Sequence, residues 1–228
     1  MGWVSKPPPG VLMLACGSLH LLAKKAYERT LTATSERTPD QPDALSAIIL
    51  SVVSLEAFVG ELVEVVRGLI PHCPEDSRNR GKALIDALEL IQEGKGQLAL
   101  KFQVAKFILS GTSYETGAKP YQDFDLLLDI RNGLIHPKAF AVKSDESGAS
   151  VDPLRKFREK LRSLEIIAEF SEENVMAPLS TWVQTRAAAH WACNTAVEMA
   201  HALFETPAED RLVQMLRTIL ASGFIKIP

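Results

Sequence analysis

The residues best suited to chemistry lie at the end of one segment: Arg131, Asn132 and His136, followed by Pro137. A guanidinium group can hold an anion through two parallel N–H donors, and an imidazole can exchange a proton near neutral pH. Asn132 and His136 are four residues apart, so they share a face for as long as a helix lasts. Because proline disfavours helical backbone in the residue before it, we expect the motif at a helix end, where polar groups can be exposed yet held rigidly.

Arg131 is expected on the apolar side of its helix. It completes the spacing i, i+3, i+4, i+7 that begins with Phe124, Leu127 and Leu128. A cation in that position is costly unless it is paired, hydrogen-bonded or at a wet cleft. Its surroundings must therefore supply a partner or an anionic ligand.

One interpretation of the motif is purely structural. Arg131 would pair with a carboxylate such as that of Glu56, and His136 would cap the end of its segment. Isolated arginine and histidine residues most often have such roles. Glu56 lies at the edge of the polar stripe of its own helix, so a solvated glutamate is an equal alternative to the ion pair.

The sequence also resembles the HEPN superfamily. Arg131-Asn132, three residues and His136 match the R-x4-H form of that family's signature, including the polar residue after the arginine. The resemblance spans roughly residues 43–205. Other similar features are Ala47-Ile48, Ser54-Leu55-Glu56-Ala57-Phe58, the loop 117–121, and Trp182, Arg186, Trp191, Ala192 and Ala196.

The resemblance implies a four-helix bundle and a metal-independent RNA endonuclease without a cofactor. Members of this kind usually dimerise so that two motifs face one cleft, and such an enzyme could have a neutralising partner protein. Other members only bind RNA or a nucleotide, which is the second hypothesis. The third is an interaction protein in which the motif serves helix pairing alone.

The resemblance also implies roles for the residues. His136 would take the proton of a ribose 2′-hydroxyl or protonate the leaving 5′-oxygen. Arg131 would hold the scissile phosphate, and Asn132 would orient His136 or the phosphate. Glu56 would support Arg131. The products would carry 2′,3′-cyclic phosphate and 5′-hydroxyl ends, and DNA should resist cleavage because it lacks the 2′-hydroxyl.

A basic amphipathic segment follows the motif. Its cations could grip phosphates without reading sequence, or they could form a solvated helix surface. Lys138 and Lys143 extend the positive region. The cations proposed to bind RNA are Lys138, Arg155, Lys156, Arg158, Lys160 and Arg162.

The sequence gives little support for a metal site or a nucleotide-binding motif. His190, Asn194, Glu198 and His201 form a polar stripe, but its two histidines would lie roughly 16 Å apart along a helix and could not share one ion. We therefore predict no metal site. The sequence also lacks a P-loop, a dinucleotide-binding glycine loop and a nucleophile elbow.

The elements that must position the motif are helices, and no alternating strand pattern is present. We predict an all-α, HEPN-like bundle over residues 43–205, with a basic insertion at about 138–178. An N-terminal extension with a helix, 1–42, and a C-terminal helix, 206–228, are additions. The predicted core helices are 44–70, 97–109, 121–135 and 180–204, and the outer ones are 11–31, 78–93, 153–168 and 206–223.

Several residues are predicted to start or stop these helices. Asp43 should cap the helix 44–70 and Pro71 should end it. Asp152-Pro153 should open the basic helix. The sequence from Thr206 to Glu209 has the spacing of a capping box for the last helix.

Composition places the chain among ordinary globular proteins. It has 228 residues, 25 Lys plus Arg, 28 Asp plus Glu and a net charge of −3, with 46% hydrophobic and 23% charged residues. These values exclude a disordered, collagen-like or disulfide-stapled chain. The near-neutral balance means that a nucleic-acid partner must be met by a local basic patch.

The expected location is the cytoplasm. Cys16, Cys73 and Cys193 are odd in number and widely spaced, which fits a reducing compartment. The five apolar residues before Cys16 are too short for a secretion signal. The longest apolar run, 44–55, is interrupted by Glu56 and falls short of the ~20 residues of a membrane span.

Overall fold

The computed structural model describes residues 14–32, 35–137, 143–144, 150–151, 155–168, 177–205 and 210–228. Within these ranges the chain forms nine α-helices, and the predicted all-α class is confirmed. The only strand pairing in them is a two-residue antiparallel bridge between β1 (Lys143–Ser144) and β2 (Ser150–Val151). The helices are α1 (Cys16–Arg29), α2 (Pro42–Leu69), α3 (Glu75–Glu93), α4 (Leu98–Ser110), α5 (Tyr121–Ile135), α6 (Arg155–Ser163), α7 (Leu179–Val183), α8 (Arg186–Ala202) and α9 (Arg211–Leu220).

Helix α2 is the centre of the fold. It is 28 residues long and apolar over most of its surface. Ile48, Leu55, Phe58 and Leu62 are fully buried, and α1, α3, α5, α8 and α9 all pack against it. Pro42 occupies its first turn, where a missing N–H is tolerated, so Asp43 is not the predicted cap.

The apolar character of α2 is more continuous than the sequence suggested. Glu56 does not interrupt the helix, and the segment Pro42–His72 contains an 18-residue window with a mean hydropathy of 1.9. Among the described residues this is one helix long and apolar enough to cross a membrane. Of that window, 56% is buried inside the fold, as in the core helix of a globular protein.

Aromatic rings join the central helix to its neighbours. The ring of Phe58 lies 6.1 Å from that of Phe102, 5.8 Å from that of Phe204 and 5.5 Å from that of Phe224. Phe102 in turn meets Phe124 edge-on at 5.1 Å. These contacts connect α2, α4 and α5 to the segments after α8 and α9, so the core includes more of the chain than the four predicted helices.

Helix α1, predicted as part of an extension, belongs to the core. Cys16, Ala23 and Ala26 are fully buried against α2 and α8, and their small side chains let the helices approach closely. The carboxylate of Glu61 accepts the backbone N–H groups of Ala15 and Cys16 at 2.5 and 3.1 Å. A side chain of α2 thus satisfies the exposed N–H groups at the start of α1.

The predicted helix 180–204 is divided into α7 and α8. Thr185 lies between them with extended backbone. Its hydroxyl accepts the N–H of Ala188 at 3.0 Å and donates to the carbonyl of Ile166 at 2.6 Å. Threonine is a favourable N-cap, so this residue starts α8 instead of continuing α7.

Several helix ends also differ from their predicted positions, among them the starts of α1 at Cys16 and of α3 at Glu75. α6 ends at Ser163 instead of reaching Ala168, and Glu165 has a φ of 56° in the turn that follows. α9 begins at Arg211 with Asp210 as its N-cap, whose carboxylate accepts N–H groups at 2.7 and 3.3 Å. The predicted caps at 152–153 and 206–209 lie outside the described residues.

The polar stripe on α8 holds the C-terminal tail, residues 224–228. Asn194 accepts the N–H of Ile227 at 2.8 Å and donates to its carbonyl at 3.1 Å. Nε2 of His201 lies 2.9 Å from the carbonyl oxygen of Phe224, to which it can donate. The stripe is therefore used for packing. Among the described residues, no three or more His, Cys, Asp or Glu are grouped to hold a metal ion.

His20 binds the same tail from α1. It is fully buried, its ring stacks on Phe224 at 4.8 Å, and Nε2 lies 3.4 Å from the carbonyl oxygen of Ile225. Nδ1 has no hydrogen-bond partner in the described part of the chain. Burial lowers the pKa of His20 to about 4, so the ring is neutral at physiological pH.

We expect acid to destabilise the protein through His20. In the unfolded state His20 takes up a proton near pH 6.5, but in the folded state it does so only near pH 4. The contribution of neutral His20 to the free energy of unfolding is therefore fully present above pH 6.5 and falls as the pH is lowered between these values. The loss should reach about 3 kcal/mol. Urea unfolding from pH 7 to 4.5 measures it. His20→Gln should flatten the dependence and the exposed His72→Gln should not; equal slopes in wild type and His20→Gln would contradict this assignment.

Candidate functional site

Helix α5 positions the predicted motif, and its observed bounds are those predicted from the sequence. Phe124 and Leu127 are fully buried and fix the rotation of the helix. His136 follows the last turn with φ −121° and ψ 65°, and its N–H donates to the carbonyl of Asn132 at 2.9 Å. The backbone of the motif is therefore held by helical hydrogen bonds, although His136 itself has left the helix.

The side chain of Arg131 spans from the apolar seam to the surface. Nη2 donates to Oε1 of Glu56 at 2.9 Å, and Nη1 donates to Oδ1 of Asn132 at 3.1 Å. Nε is buried and has no partner among the described residues. The side chain of Arg131 is 23% exposed and that of Glu56 is 42% exposed. The predicted ion pair is thus present, while the carboxylate remains in contact with solvent.

His136 is much less constrained than Arg131. Its side chain is exposed, and no described residue donates to or accepts from its ring. Asn132, which was predicted to orient His136 or a phosphate, instead contacts the guanidinium group of Arg131. The structure therefore brings Arg131, Asn132 and Glu56 together, whereas His136 lies exposed at the end of the helix with no described contact to them.

Gly133, inside the motif, allows a close contact between helices. A Cβ atom at this position would lie 2.6 Å from Cδ2 of Leu179, the first residue of α7. Glycine in a helix normally costs about 1 kcal/mol relative to alanine. The approach of α7 gives a physical reason for it here, one that spacing along the sequence could not reveal.

Arg158 is the main correction to the predicted RNA-binding set. It is only 8% exposed, and its guanidinium carbon lies 5.3 Å from the centre of the Trp182 ring. This cation–π contact, together with the burial of Leu161, fixes α6 on α7. Arg158 is a packing residue. In the sequence, Trp182 stands out only through the family resemblance, and no pattern identifies Arg158 as its partner.

The other predicted cations differ in their availability. Lys156 and Arg162 are exposed. Lys160 lies near Asp129 on α5; partial burial and Asp125 raise the pKa of Asp129, and Lys160 opposes that rise. The charge of Lys160 is thus partly offset. Lys138 and the side chain of Arg155 lie outside the described residues.

Two surface clefts formed by the described residues do not contain the motif. A groove of about 600 Å³ between α2 and the α3–α4 pair includes Glu56, Glu64 and Glu89 in its wall. A second cleft of about 360 Å³ is lined by α8 residues, including His190. Neither cleft includes Arg131 or His136 in its lining. The first carries three carboxylates, each paired with an arginine, and Lys101 also lines it.

Comparison with protein families, curated proteins and solved structures finds no match for this chain. The interpretation of the motif therefore rests on its geometry and its chemistry.

Replacing glycine by alanine inside a helix normally raises the free energy of unfolding. We expect Gly133→Ala not to show this increase. Gly60→Ala is the matched control, because no atom lies within 4 Å of its added Cβ, and it should stabilise the protein by about 0.5–1 kcal/mol. Gly133→Ala should be at least ~1 kcal/mol less favourable, since Leu179 must move. Urea unfolding measures both.

The contact with Leu179 can be isolated in a double mutant. In a Leu179→Ala background, Gly133→Ala should become as favourable as Gly60→Ala, because the obstructing methyl group is gone. An unchanged penalty in that background would show that the helix contact is not its cause.

Proposed function

We propose that this chain is a metal-independent endoribonuclease with a HEPN-like four-helix bundle core. The observation that supports the proposal best is the arrangement at the end of α5. A partly exposed guanidinium group is held in place by Glu56 and Asn132, and the exposed side chain of His136 follows five residues later at the end of the same helix. Metal-free cleavage of a phosphodiester next to a 2′-hydroxyl needs a cation that binds the phosphate, a general base and a general acid, and these two residues could supply the first two.

In the proposed reaction, His136 takes the proton from a ribose 2′-hydroxyl as its oxygen attacks the adjacent phosphorus. The bond from phosphorus to the 5′-oxygen breaks, and a second acid protonates that oxygen. Arg131 binds the non-bridging phosphate oxygens, whose negative charge grows in the transition state. The products are a 2′,3′-cyclic phosphate and a 5′-hydroxyl.

A second copy of the chain would supply that acid through its own His136. One chain provides a single motif, and neither cleft described above contains it. The proposed partners are therefore RNA and a second copy, with a neutralising protein as a further partner, and the proposed location is the cytoplasm. Lys156 and Arg162, which are exposed on α6, are the described cations proposed to contact the RNA backbone.

Non-catalytic RNA or nucleotide binding is the alternative, and one feature favours it. The guanidinium group of Arg131 has fixed partners, whereas no described residue orients the ring of His136. Such a site could hold a phosphate without aligning a base for proton transfer.

Cleavage of RNA in the presence of EDTA tests the proposal. The wild type should produce cyclic phosphate ends, and Arg131→Ala and His136→Ala should each lower the rate by about 10²–10⁴-fold. Circular dichroism would establish that each variant is folded, and analysis of the product termini identifies the reaction.

Matched controls use residues of the same type elsewhere. Arg67, which also pairs with glutamates, and the exposed His72 should tolerate alanine without loss of rate. No cleavage of several RNAs by the folded wild type would refute the nuclease proposal, as would equal rates in the motif variants. Retained RNA binding in that case would support the binding alternative.

Glu56 should compete with phosphate for Arg131. Glu56→Gln removes the carboxylate charge that faces the guanidinium group of Arg131. RNA binding should therefore tighten by about two- to fivefold, the range expected for a partly exposed ion pair. Fluorescence anisotropy with a labelled RNA measures this. Glu64→Gln, on the same helix and paired with Arg67, should not change the affinity. Weaker binding by Glu56→Gln would indicate that Glu56 mainly positions Arg131.

A further inference from the structure

The groove between α2 and the α3–α4 pair has the size and the floor of a ligand site. Its volume of about 600 Å³ is within the range of small-molecule sites. The buried Val59 and Leu88 line it together with the half-buried Val63 and Leu98. Gly60 also lines it, and a Cβ atom at this position would have no other atom within 4 Å. The groove therefore has room for an aliphatic chain laid along α2.

Two carboxylates on one face of α2 flank this apolar floor. Glu56 and Glu64 both line the groove and are eight residues apart, which is roughly 12 Å along a helix. In each of them Oε1 accepts from an arginine, and no described residue donates to Oε2. Their side chains are 42% and 56% exposed. Because a carboxylate has about four acceptor sites, each of the two can bind a further cation from the groove.

Charge is least balanced at the Glu64 end of the groove. Glu64 and Glu89 share one guanidinium group, that of Arg67, so their two negative charges face a single positive one. Lys101 also lines the groove, and its ammonium group contacts the neutral amide of Gln92. An ammonium group of a ligand should therefore be attracted most strongly to this end.

A linear polyamine combines an aliphatic chain with ammonium groups at both ends. Its amines are protonated at neutral pH, like that of lysine, and its methylene groups would cover the apolar floor. A triamine of the length of spermidine extends roughly 10–11 Å between its terminal nitrogens, close to the separation of Glu56 and Glu64 along α2. We propose that the groove between α2 and the α3–α4 pair binds a linear polyamine of this length. The proposal does not depend on the nuclease proposal.

Isothermal titration calorimetry with spermidine, at low salt and without RNA, tests the site. The wild type should bind one equivalent with a Kd below about 1 mM, and Gly60→Leu, which fills the groove without changing its charge, should weaken binding at least ~10-fold. Gly68→Leu is the matched control. Gly68 is on the same helix, it is not part of the groove lining, and its added Cβ also has open space. This variant should keep the wild-type affinity.

The length of the ligand provides a second comparison. Putrescine is too short to reach both Glu56 and Glu64, so it should bind at least ~5-fold more weakly than spermidine, because the second contact is lost.

Charge variants should change the affinity in opposite directions. Glu64→Gln should weaken spermidine binding by about two- to fivefold, whereas Arg67→Gln, which removes a competing cation, should tighten it by a similar factor. Both side chains are about half exposed, so neither change should unfold the protein. Three results would each overturn the proposal: no saturable binding up to about 5 mM spermidine, equal affinity in Gly60→Leu and the wild type, or weaker binding by Arg67→Gln.

Discussion

The burial of α2 is the constraint on which the rest of the structure depends. A 28-residue apolar helix must be covered on nearly every side, and each fully buried Leu, Ile or Phe contributes about 1.5–3 kcal/mol. The coverage needs α1 and α9 as well as the predicted bundle helices. Only a narrow polar edge of α2 remains uncovered, and Glu56 lies on it. The packing of the other helices around α2 therefore determines where the carboxylate of Glu56 can contact α5.

The ion pair between Glu56 and Arg131 follows from that arrangement. Arg131 extends the apolar seam of α5, so its stem is buried and its charged end must reach the surface beside α2. A fully buried pair would carry a large desolvation cost. Here the carboxylate keeps access to water, so the pair is inexpensive to form and open to exchange with another anion. The same contact thus stabilises α5 on α2 and leaves the guanidinium group available to a ligand.

The sequence was most informative where structure is determined by near neighbours. The bounds of α5 were predicted because Phe124, Leu127 and Pro137 act within a few residues of the motif. The break at Thr185 was missed because its hydroxyl also needs the carbonyl of Ile166, 19 residues away. The polar stripe of α8 was recognised in the sequence. Its hydrogen bonds are to the C-terminal tail, residues 224–228, which lies far from it along the sequence. The burial of Arg158 likewise depends on Trp182, on a different helix.

In the candidate site the guanidinium group of Arg131 has fixed partners, whereas no described residue forms a hydrogen bond with the ring of His136. The group proposed to bind phosphate is positioned before any ligand arrives, because two neighbours fix the guanidinium group of Arg131. No described residue holds the imidazole of His136, whose backbone alone is fixed among them, and a ring must be oriented before it can transfer a proton along a defined path. In the proposed reaction, binding of a phosphate and assembly of the catalytic geometry are therefore separate steps, and affinity for RNA need not follow activity.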